Sequence, residues 1–304
     1  MLKDVARLLL PPIAVALALW FRKPPTLTRP ASGTVRTQYG DFYMECDASH
    51  NLPRILADLP DYGRNVAELV RALQAPEPIV IDVGANIGDT ALLLARFAPG
   101  ARVLCIEGDE QFLPFLTSNT SQIPNVTIAQ AILSDRNAAI KGRFASHQGT
   151  AHLVLEEAGG AFETRTLDDL LRDYPRFSRP DVIKIDTDGF DAPIMRGARD
   201  VLASSRPVLF YEWDPHSYEV AGENDFSHAE LLMELGFDWF MIFSNRGELL
   251  LRIRRPGREV WASLARFARA RRPVDGWYFD VAAFPEERRA ACDALWRHYL
   301  KVAS

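Results

Sequence analysis

Two carboxylates and two glycines have the types and spacing of a nucleoside-binding site. Asp82 precedes a turn bounded by Gly84 and Gly88, and Glu107 follows further along the chain. Glycine lets the backbone approach a ligand that a Cβ atom would keep away. A carboxylate at the end of the next strand can accept hydrogen bonds from both hydroxyls of a ribose. These residues predict a site for a cofactor that contains a nucleoside.

The same turn separates two classes of cofactor. A dinucleotide site has three glycines in the pattern G-x-G-x-x-G, whereas this turn reads Gly84-x-Asn86-x-Gly88. Asp82 would repel a pyrophosphate, but it suits the positively charged amino group of a methionine moiety. The turn resembles the first motif of class I methyltransferases, D/E-x-G-x-x-x-G, which favours S-adenosylmethionine over NAD. The residues expected to contact this cofactor are Asp82, Gly84, Ala85, Asn86, Gly88, Glu107, Gly108, Ser134 and Asp135.

The elements that position these residues alternate between strand and helix. Residues 79–83 are mostly β-branched, which predicts a strand buried on both faces of a parallel sheet. Residues 90–97 predict a helix, and 103–106 and 126–129 predict two further strands. Ser134 and Asp135 follow the third strand, where they are placed either to read the adenine amino group or to make an ordinary turn.

Length and composition restrict the class of protein. The chain has 304 residues, of which 48% are hydrophobic and 25% charged, as expected for a globular α/β domain with extra segments. The net charge of −5 argues against a general nucleic-acid binder. The three cysteines form neither a disulfide framework nor a metal-ligand set, which favours a reducing cytoplasm.

The chain divides into three parts. Residues 1–23 contain an uncharged apolar run at 8–21, which is shorter than the roughly 20 residues needed to span a bilayer as a helix. This run is consistent with a helix packed on the domain, an anchor at the membrane surface, or a secretory signal. Residues 24–61 predict a linker and a cap, with a hairpin around Gly40, and 62–304 form the main domain.

A second strand–turn–helix unit narrows the family. Thr166-Leu167-Asp168 is followed by Val182-Ile183-Lys184-Ile185-Asp186-Thr187-Asp188-Gly189-Phe190-Asp191, and a later strand ends in Glu212. Over about residues 62–243 the sequence resembles the FkbM family of methyltransferases, in which T-L-D is followed by I-K-I-D-x-E-G-x-E. Asp188 and Asp191 replace the two glutamates of that pattern and have a shorter reach.

This resemblance implies a fold and an activity. The fold is a class I methyltransferase Rossmann-like α/β fold, with helices on both faces of a seven-stranded, mostly parallel sheet that has one antiparallel strand near its edge. The activity is S-adenosylmethionine-dependent O-methylation of a hydroxyl on a sugar, glycolipid, polysaccharide or natural product. Two rival hypotheses are an NAD-dependent oxidoreductase and a non-catalytic protein that binds a membrane surface.

Asp186 and His216 are the candidate catalytic residues. Asp186 ends the strand beside the cofactor strand, where it is placed to orient the cofactor, take the acceptor proton or pair with Lys184. His216 follows the next strand, and histidine is the side chain that most often acts as a general base. Asp186, Asp188 and Asp191 also have the chemistry of a metal site, but acids that begin a helix are common without one. We assign no metal.

One further segment is strongly basic. Residues 246–272 contain nine arginines and only two glutamates. The segment predicts a strand-like part and a helix on either side of Pro256-Gly257. It is consistent with a solvated helix, an anionic acceptor, or peripheral contact with an anionic membrane together with residues 8–21.

Overall fold

The structure is a computed structural model that describes residues 33–147, 149–156 and 158–302. The predicted apolar segment at 1–23 and the first part of the predicted linker lie outside the described residues. In the part of the chain that is described, no helix is both long and apolar enough to cross a membrane.

Strands and helices alternate along most of the chain. The strands are β1 (Thr34–Tyr39), β2 (Phe42–Asp47), β3 (Ile79–Val83), β4 (Arg102–Glu107), β5 (Val126–Gln130), β6 (Ile132–Leu133), β7 (Ala138–His147), β8 (Thr150–Leu155), β9 (Gly160–Arg165), β10 (Val182–Ile185), β11 (Val208–Trp213), β12 (Phe237–Ser244), β13 (Leu249–Arg254) and β14 (Phe279–Pro285). The helices are α1 (Leu52–Asp58), α2 (Arg64–Ala72), α3 (Asp89–Phe97), α4 (Leu113–Thr120), α5 (Leu167–Leu170), α6 (Asp191–Arg196), α7 (Arg199–Ser205), α8 (Pro215–Val220), α9 (Ser227–Glu234), α10 (Arg258–Asp275) and α11 (Arg289–Val302).

The central sheet has the strand order β13-β12-β14-β11-β10-β3-β4-β5. The strands from β11 to β5 in this order are parallel, and β14 is antiparallel to both of its neighbours. This confirms the predicted mostly parallel α/β fold. The sheet has eight strands and not the predicted seven. The additional strand is β13, because the chain turns back at Gly247 and β13 pairs antiparallel with β12 at the edge.

Each central strand contributes to two cores because successive side chains point to opposite faces. Ile81 and Ile183 enter one core, which is covered by α6, α7, α9 and α10. Val80 and Val182 enter the other, which is covered by α2, α3 and α11. The sheet therefore has helices on both faces, and the carboxyl ends of its parallel strands meet at one edge.

The predicted hairpin is confirmed and forms part of a cap. β1 and β2 pair antiparallel around Gly40, and Met44 and Cys46 pack with Leu52 against the turn and helix that follow β3. The Asn119 amide donates to the carbonyl oxygens of Glu45 at 2.9 Å and of Ile87 at 2.7 Å. One buried side chain thus joins the cap to the predicted cofactor turn.

A smaller sheet lies between β5 and β10 in the chain, with the order β6-β9-β7-β8. By their sequence alone, residues 136–165 predict only two short strands, at 141–144 and 152–155. The structure lengthens both and adds β9, which pairs antiparallel with β7. The prediction fell short because these strands lack a regular alternation of apolar residues, so their pairing partners and not their own sequence define them.

The basic segment folds as β13 and α10. Of its nine arginines, six form ion pairs with acidic residues of the same chain. The pairs are Arg252–Asp293, Arg254–Asp238, Arg255–Asp238, Arg258–Glu230, Arg269–Asp225 and Arg272–Asp214. Much of its positive charge is therefore neutralised within the fold, and contact with a membrane or an anionic acceptor stays a prediction.

Candidate functional site

Two adjoining cavities open at the carboxyl ends of the central strands. The smaller has a volume of about 90 Å³ and the larger about 480 Å³. Both are lined by Gly84, Asn86, Asp186 and Asp188, so these four residues stand where the cavities meet. The position agrees with the general location of ligands in open α/β sheets.

The turn after β3 is shaped by close backbone packing. Gly84 has φ +78°, and a Cβ atom there would lie 1.9 Å from the carbonyl oxygen of Asp186. Gly88 packs on α4, where a Cβ atom would lie 3.0 Å from side-chain carbons of Leu116 and Thr120. Because Gly84 lacks a Cβ atom, the ends of β3 and β10 can pack together, and because Gly88 lacks one, the start of α3 can pack on α4. This packing role is separate from any role in admitting a ligand.

Glu107 lines the smaller cavity at the end of β4. Its two carboxylate oxygens accept hydrogen bonds from the backbone N–H groups of Asn86, at 2.7 Å, and Asp109, at 2.8 Å. Burial raises the pKa of Glu107, and these N–H groups oppose that rise. Each oxygen keeps a further lone pair, so the carboxylate is held in place and can still accept from a diol.

The walls of the smaller cavity are mainly apolar, and suit a flat heterocycle. They include Val83, Ile106, Phe112, Ile132, Leu133 and Phe144, with Gly108 beside them. A Cβ atom at Gly108 would lie 2.9 Å from the Ile132 side chain. An apolar cleft with one fixed carboxylate fits the adenosine part of S-adenosylmethionine, because the base needs apolar contact and the ribose needs an acceptor.

Five of the predicted cofactor residues do not line either cavity, namely Asp82, Ala85, Gly88, Ser134 and Asp135. Ala85 is buried with its N–H bonded to the Ile106 carbonyl at 3.0 Å, and Gly88 lies against α4. The Ser134 N–H donates to the Arg165 carbonyl at 2.9 Å, and the Asp135 carboxylate lies 3.8 Å from the Arg196 guanidinium. These contacts join Ser134 to the end of β9 and Asp135 to α6, and a role of either residue in reading the adenine stays a prediction.

Asp82 also lies away from the cavity surface. It is 0% exposed, and its Oδ1 accepts from the Lys184 ammonium at 3.1 Å. Burial raises its pKa to about 6, although Lys184 opposes the rise. The Lys184 ammonium is also 3.1 Å from Oδ2 of Asp186, whose side chain is 43% exposed. Asp82 therefore anchors Lys184, and Asp186 is the carboxylate that faces the ligand space.

Asp186 stands at the centre of the site because it lines both cavities. The predicted pairing of Asp186 with Lys184 is present. This pairing fixes the carboxylate while leaving it accessible, and a catalytic role for Asp186 stays a prediction.

Asp188 and Asp191 have different environments. Asp188 adopts φ +52° and lines both cavities, and burial with the nearby carboxylates of Asp186 and Asp214 raises its pKa to about 7. Asp191 is 0% exposed and accepts from the Thr187 hydroxyl and the Gly189 N–H, both at 3.3 Å. Across the described residues, no three His, Cys, Asp or Glu side chains are placed to hold a metal ion.

The histidine that lines the larger cavity is His50 and not the predicted His216. His216 lies exposed on α8 and is absent from the cavity lining, whereas the cap residue His50 is buried and lines the larger cavity. The Leu52 N–H donates to Nδ1 of His50, so Nε2 carries the proton and donates to Oδ1 of Asn86 at 3.1 Å. Sequence analysis missed His50 because its partner is 36 residues away in the chain.

The far wall of the larger cavity carries further acids. Asp280 of β14 lies directly opposite Glu212 of β11 in the antiparallel register, and both line the cavity. The Asn65 amide donates to Oδ2 of Asp280 at 2.9 Å. Burial raises the pKa of Asp280 to about 7, against the effect of the Asn65 hydrogen bond.

We expect Asp280→Asn to stabilise the protein at alkaline pH. The folded carboxyl keeps its proton up to about pH 7 and the unfolded one loses it near 3.8, so wild-type stability falls as pH rises through this interval. Asparagine cannot ionise, so the variant should melt about 2 °C above the wild type near pH 8. In acid the difference in melting temperature between the variant and the wild type should be smaller. Differential scanning calorimetry at both pH values measures this, and an equal gain at both would contradict it.

Comparisons with known proteins agree with this site. The model of the methyltransferase FkbM domain matches residues 82–250. The 2-O-methyltransferase NoeI of Sinorhizobium fredii is 25% identical over 171 residues, which cover 50% of this chain and 70% of that protein.

Solved methyltransferase structures are also similar. A methyltransferase FkbM from Methylobacillus flagellatus has a TM-score of 0.44 and 16% identity, over 69% of this chain and 44% of that one. This chain thus spans less than half the length of that protein. The M. jannaschii TYW2 structure in complex with AdoMet has a TM-score of 0.42 and 12% identity, over 82% of this chain and 84% of that one.

The family match begins at Asp82, includes Glu107, Asp186 and Glu212, and covers more than half of the 304 residues. The chain therefore belongs to the FkbM family of methyltransferases.

Proposed function

We propose that the protein uses S-adenosylmethionine to methylate a hydroxyl group of a sugar or sugar-like acceptor. The observation that carries the proposal is the meeting of two cavities at Asp186. The lining of the smaller has the apolar walls and the carboxylate that an adenosine moiety needs, and the larger has room for an acceptor of the size of a sugar ring. A reaction between two bound molecules requires such a junction, because the reacting atoms must be held in contact.

The residues around the smaller cavity would hold the cofactor. Glu107 accepts from the ribose hydroxyls, and the apolar walls around Phe112 and Ile132 contact the adenine. Asp188 also lines both cavities, so its carboxylate is placed to accept hydrogen bonds from the methionine ammonium. This differs from the sequence prediction, which gave that role to Asp82.

Asp186 is the candidate for the chemical step. Bound S-adenosylmethionine supplies an electrophilic methyl group, and the protein must orient the acceptor hydroxyl and remove its proton. The Asp186 carboxylate lines the acceptor cavity and is held by Lys184 at 3.1 Å. It can accept the hydroxyl proton through the oxygen lone pairs that Lys184 does not use.

The hydroxyl acceptor is supported by the relative named above as a 2-O-methyltransferase. The cavity itself adds support, because its lining combines carboxylates, amides and two tyrosines, the groups that hydrogen-bond to a polyol. Its polar members include Tyr62, Asn65, Glu212, Ser217, Asn245 and Tyr278.

Glu107→Ala tests the cofactor assignment. It should weaken binding of S-adenosylhomocysteine by roughly 1.5–3 kcal/mol, the contribution of hydrogen bonds to a charged group. Titration calorimetry measures the loss, and circular dichroism checks that the fold is kept. Glu77→Ala is the matched control, since Glu77 is exposed and precedes β3 at the opposite edge of the sheet. Equal affinity of the Glu107 variant and the wild type would refute the placement of the ribose.

A further inference from the structure

Three carboxylates form a row across neighbouring strands at the floor of the larger cavity. Asp186 directly follows β10, whose last residue Ile185 is in register with Tyr211 of β11. The next residue of β11, Glu212, lies opposite Asp280 of β14. Side chains directly opposite each other on antiparallel strands have Cβ atoms about 4.5–5.5 Å apart. The row therefore runs from the cofactor junction to the far wall of the cavity.

Asp280, at the far end of this row, is held in one orientation. Asn65 is 3% exposed, and its Oδ1 accepts from the Val66 N–H at 2.9 Å. This contact fixes which end of the amide faces Asp280, so Nδ2 donates to Oδ2 of that carboxylate. The other carboxylate oxygen of Asp280 is then available to the cavity. Asn65 and Asp280 both lie outside residues 82–250, so the family match assigns them no role.

The ionisable side chains that line the cavity are mostly carboxylates. Six carboxylates line it, from Asp89, Asp186, Asp188, Glu212, Asp214 and Asp280. Its two cationic side chains are already paired, Lys184 with Asp82 and Asp186, and Arg272 with Asp214. In addition, Oδ1 of Asn245 is shielded from water and has no hydrogen-bond partner among the described residues. Such a lining needs a ligand that donates hydrogen bonds and carries no negative charge.

We infer that Glu212 and Asp280 form a hydroxyl-binding subsite that selects an uncharged polyhydroxylated acceptor and rejects an acidic one. The inference rests on the proposed function, because it takes the larger cavity as the acceptor site. It differs from the anionic acceptor that was one of the three interpretations of the arginine-rich sequence at 246–272. Six of those nine arginines pair with acids of the fold, whereas the carboxylates of the row line the cavity.

The electrostatics of the pair agree with this role. Burial raises the pKa of Glu212 well above its ordinary value, and the neighbouring carboxylates of Asp186, Asp188, Asp191 and Asp280 raise it further. A carboxyl pair of this kind holds a proton at neutral pH, so one member donates and the other accepts. Two adjacent hydroxyls of a sugar ring match that pattern, since each hydroxyl both donates and accepts.

The test compares two probes that differ only at C6, methyl β-D-glucopyranoside and methyl β-D-glucuronide. Each is titrated into the full-length protein saturated with S-adenosylhomocysteine, and binding is followed by saturation-transfer NMR. The uncharged glycoside should bind at least about tenfold more tightly, because like charges repel across a desolvated interface. In the double variant Glu212→Gln/Asp280→Asn the preference should fall to about threefold or less, since the two carboxylates of the subsite can then no longer repel the glucuronide.

Glu234→Gln is the matched control, because this exposed residue of α9 precedes β12 at the opposite edge of the sheet and should keep the full preference. Equal or tighter binding of the glucuronide would overturn the inference. So would an unchanged preference in the double variant, or binding of neither glycoside to the saturated protein. Failure of S-adenosylhomocysteine itself to bind would instead refute the proposed function, so the two failures are distinguishable.

Discussion

Lys184→Met should destabilise the protein by about 3–5 kcal/mol at neutral pH, the usual cost of leaving one partner of a buried ion pair alone. Lys184 is 7% exposed and donates to Asp82, which is 0% exposed and has no other cation of the described residues in hydrogen-bonding contact. Methionine retains the length of the side chain, so the loss reports the charge and not a cavity. Chemical denaturation followed by circular dichroism measures it.

The pH dependence and a second substitution identify the cause. Without Lys184 the pKa of Asp82 rises further from about 6, so the variant should lose more stability in alkali than in acid. Adding Asp82→Asn should recover part of the loss, because the buried carboxylate is then uncharged. Lys301→Met, at an exposed lysine of α11, is the matched control. A loss no larger than that of the control would show that the pair is not a structural element.

Asp186→Asn should lower turnover by about 10²-fold or more, the scale of general-base catalysis. The substitution is nearly isosteric and keeps an acceptor oxygen, but it removes the charge and the basicity. Affinity for S-adenosylhomocysteine should change far less, since the lost interaction belongs mainly to the transition state. Release of S-adenosylhomocysteine in the presence of a methyl glycoside acceptor measures turnover, and calorimetry measures the affinity.

His216→Gln is the comparison for this prediction. His216 is exposed on α8 and does not line either cavity, so its variant should retain near-normal turnover. Loss of turnover in His216→Gln together with normal turnover in Asp186→Asn would give Asp186 a structural role. The catalytic base would then have to come from the loop after β11.

The parts of the site that the sequence predicted are those encoded in short contiguous stretches. The turn at Gly84 follows a strand and Glu107 ends another, and both strands can be recognised from their β-branched residues. Asp186 could be placed beside them because consecutive parallel strands end at one edge of the sheet. Local chemistry and the general rules of α/β topology were sufficient for these residues.

The parts that sequence analysis missed depend on contacts between distant segments. Asn65 meets Asp280 across 215 positions, and Lys184 meets Asp82 across 102. The burial of Asp82 against Lys184 could not be predicted because it follows from the register of β3 against β10. No spacing rule within one stretch contains such a register, so the assembled sheet was needed to find it.

The most direct test of the methyltransferase assignment is titration calorimetry of the purified full-length protein with S-adenosylhomocysteine and, separately, with NADH. Asp186 and Glu107 line the smaller cavity, and the turn between β3 and α3 lacks the third glycine that a pyrophosphate needs. We predict binding of S-adenosylhomocysteine at micromolar levels, a free energy of about −8 kcal/mol, with no measurable heat from NADH. Tight binding of NADH and none of S-adenosylhomocysteine would contradict the assignment.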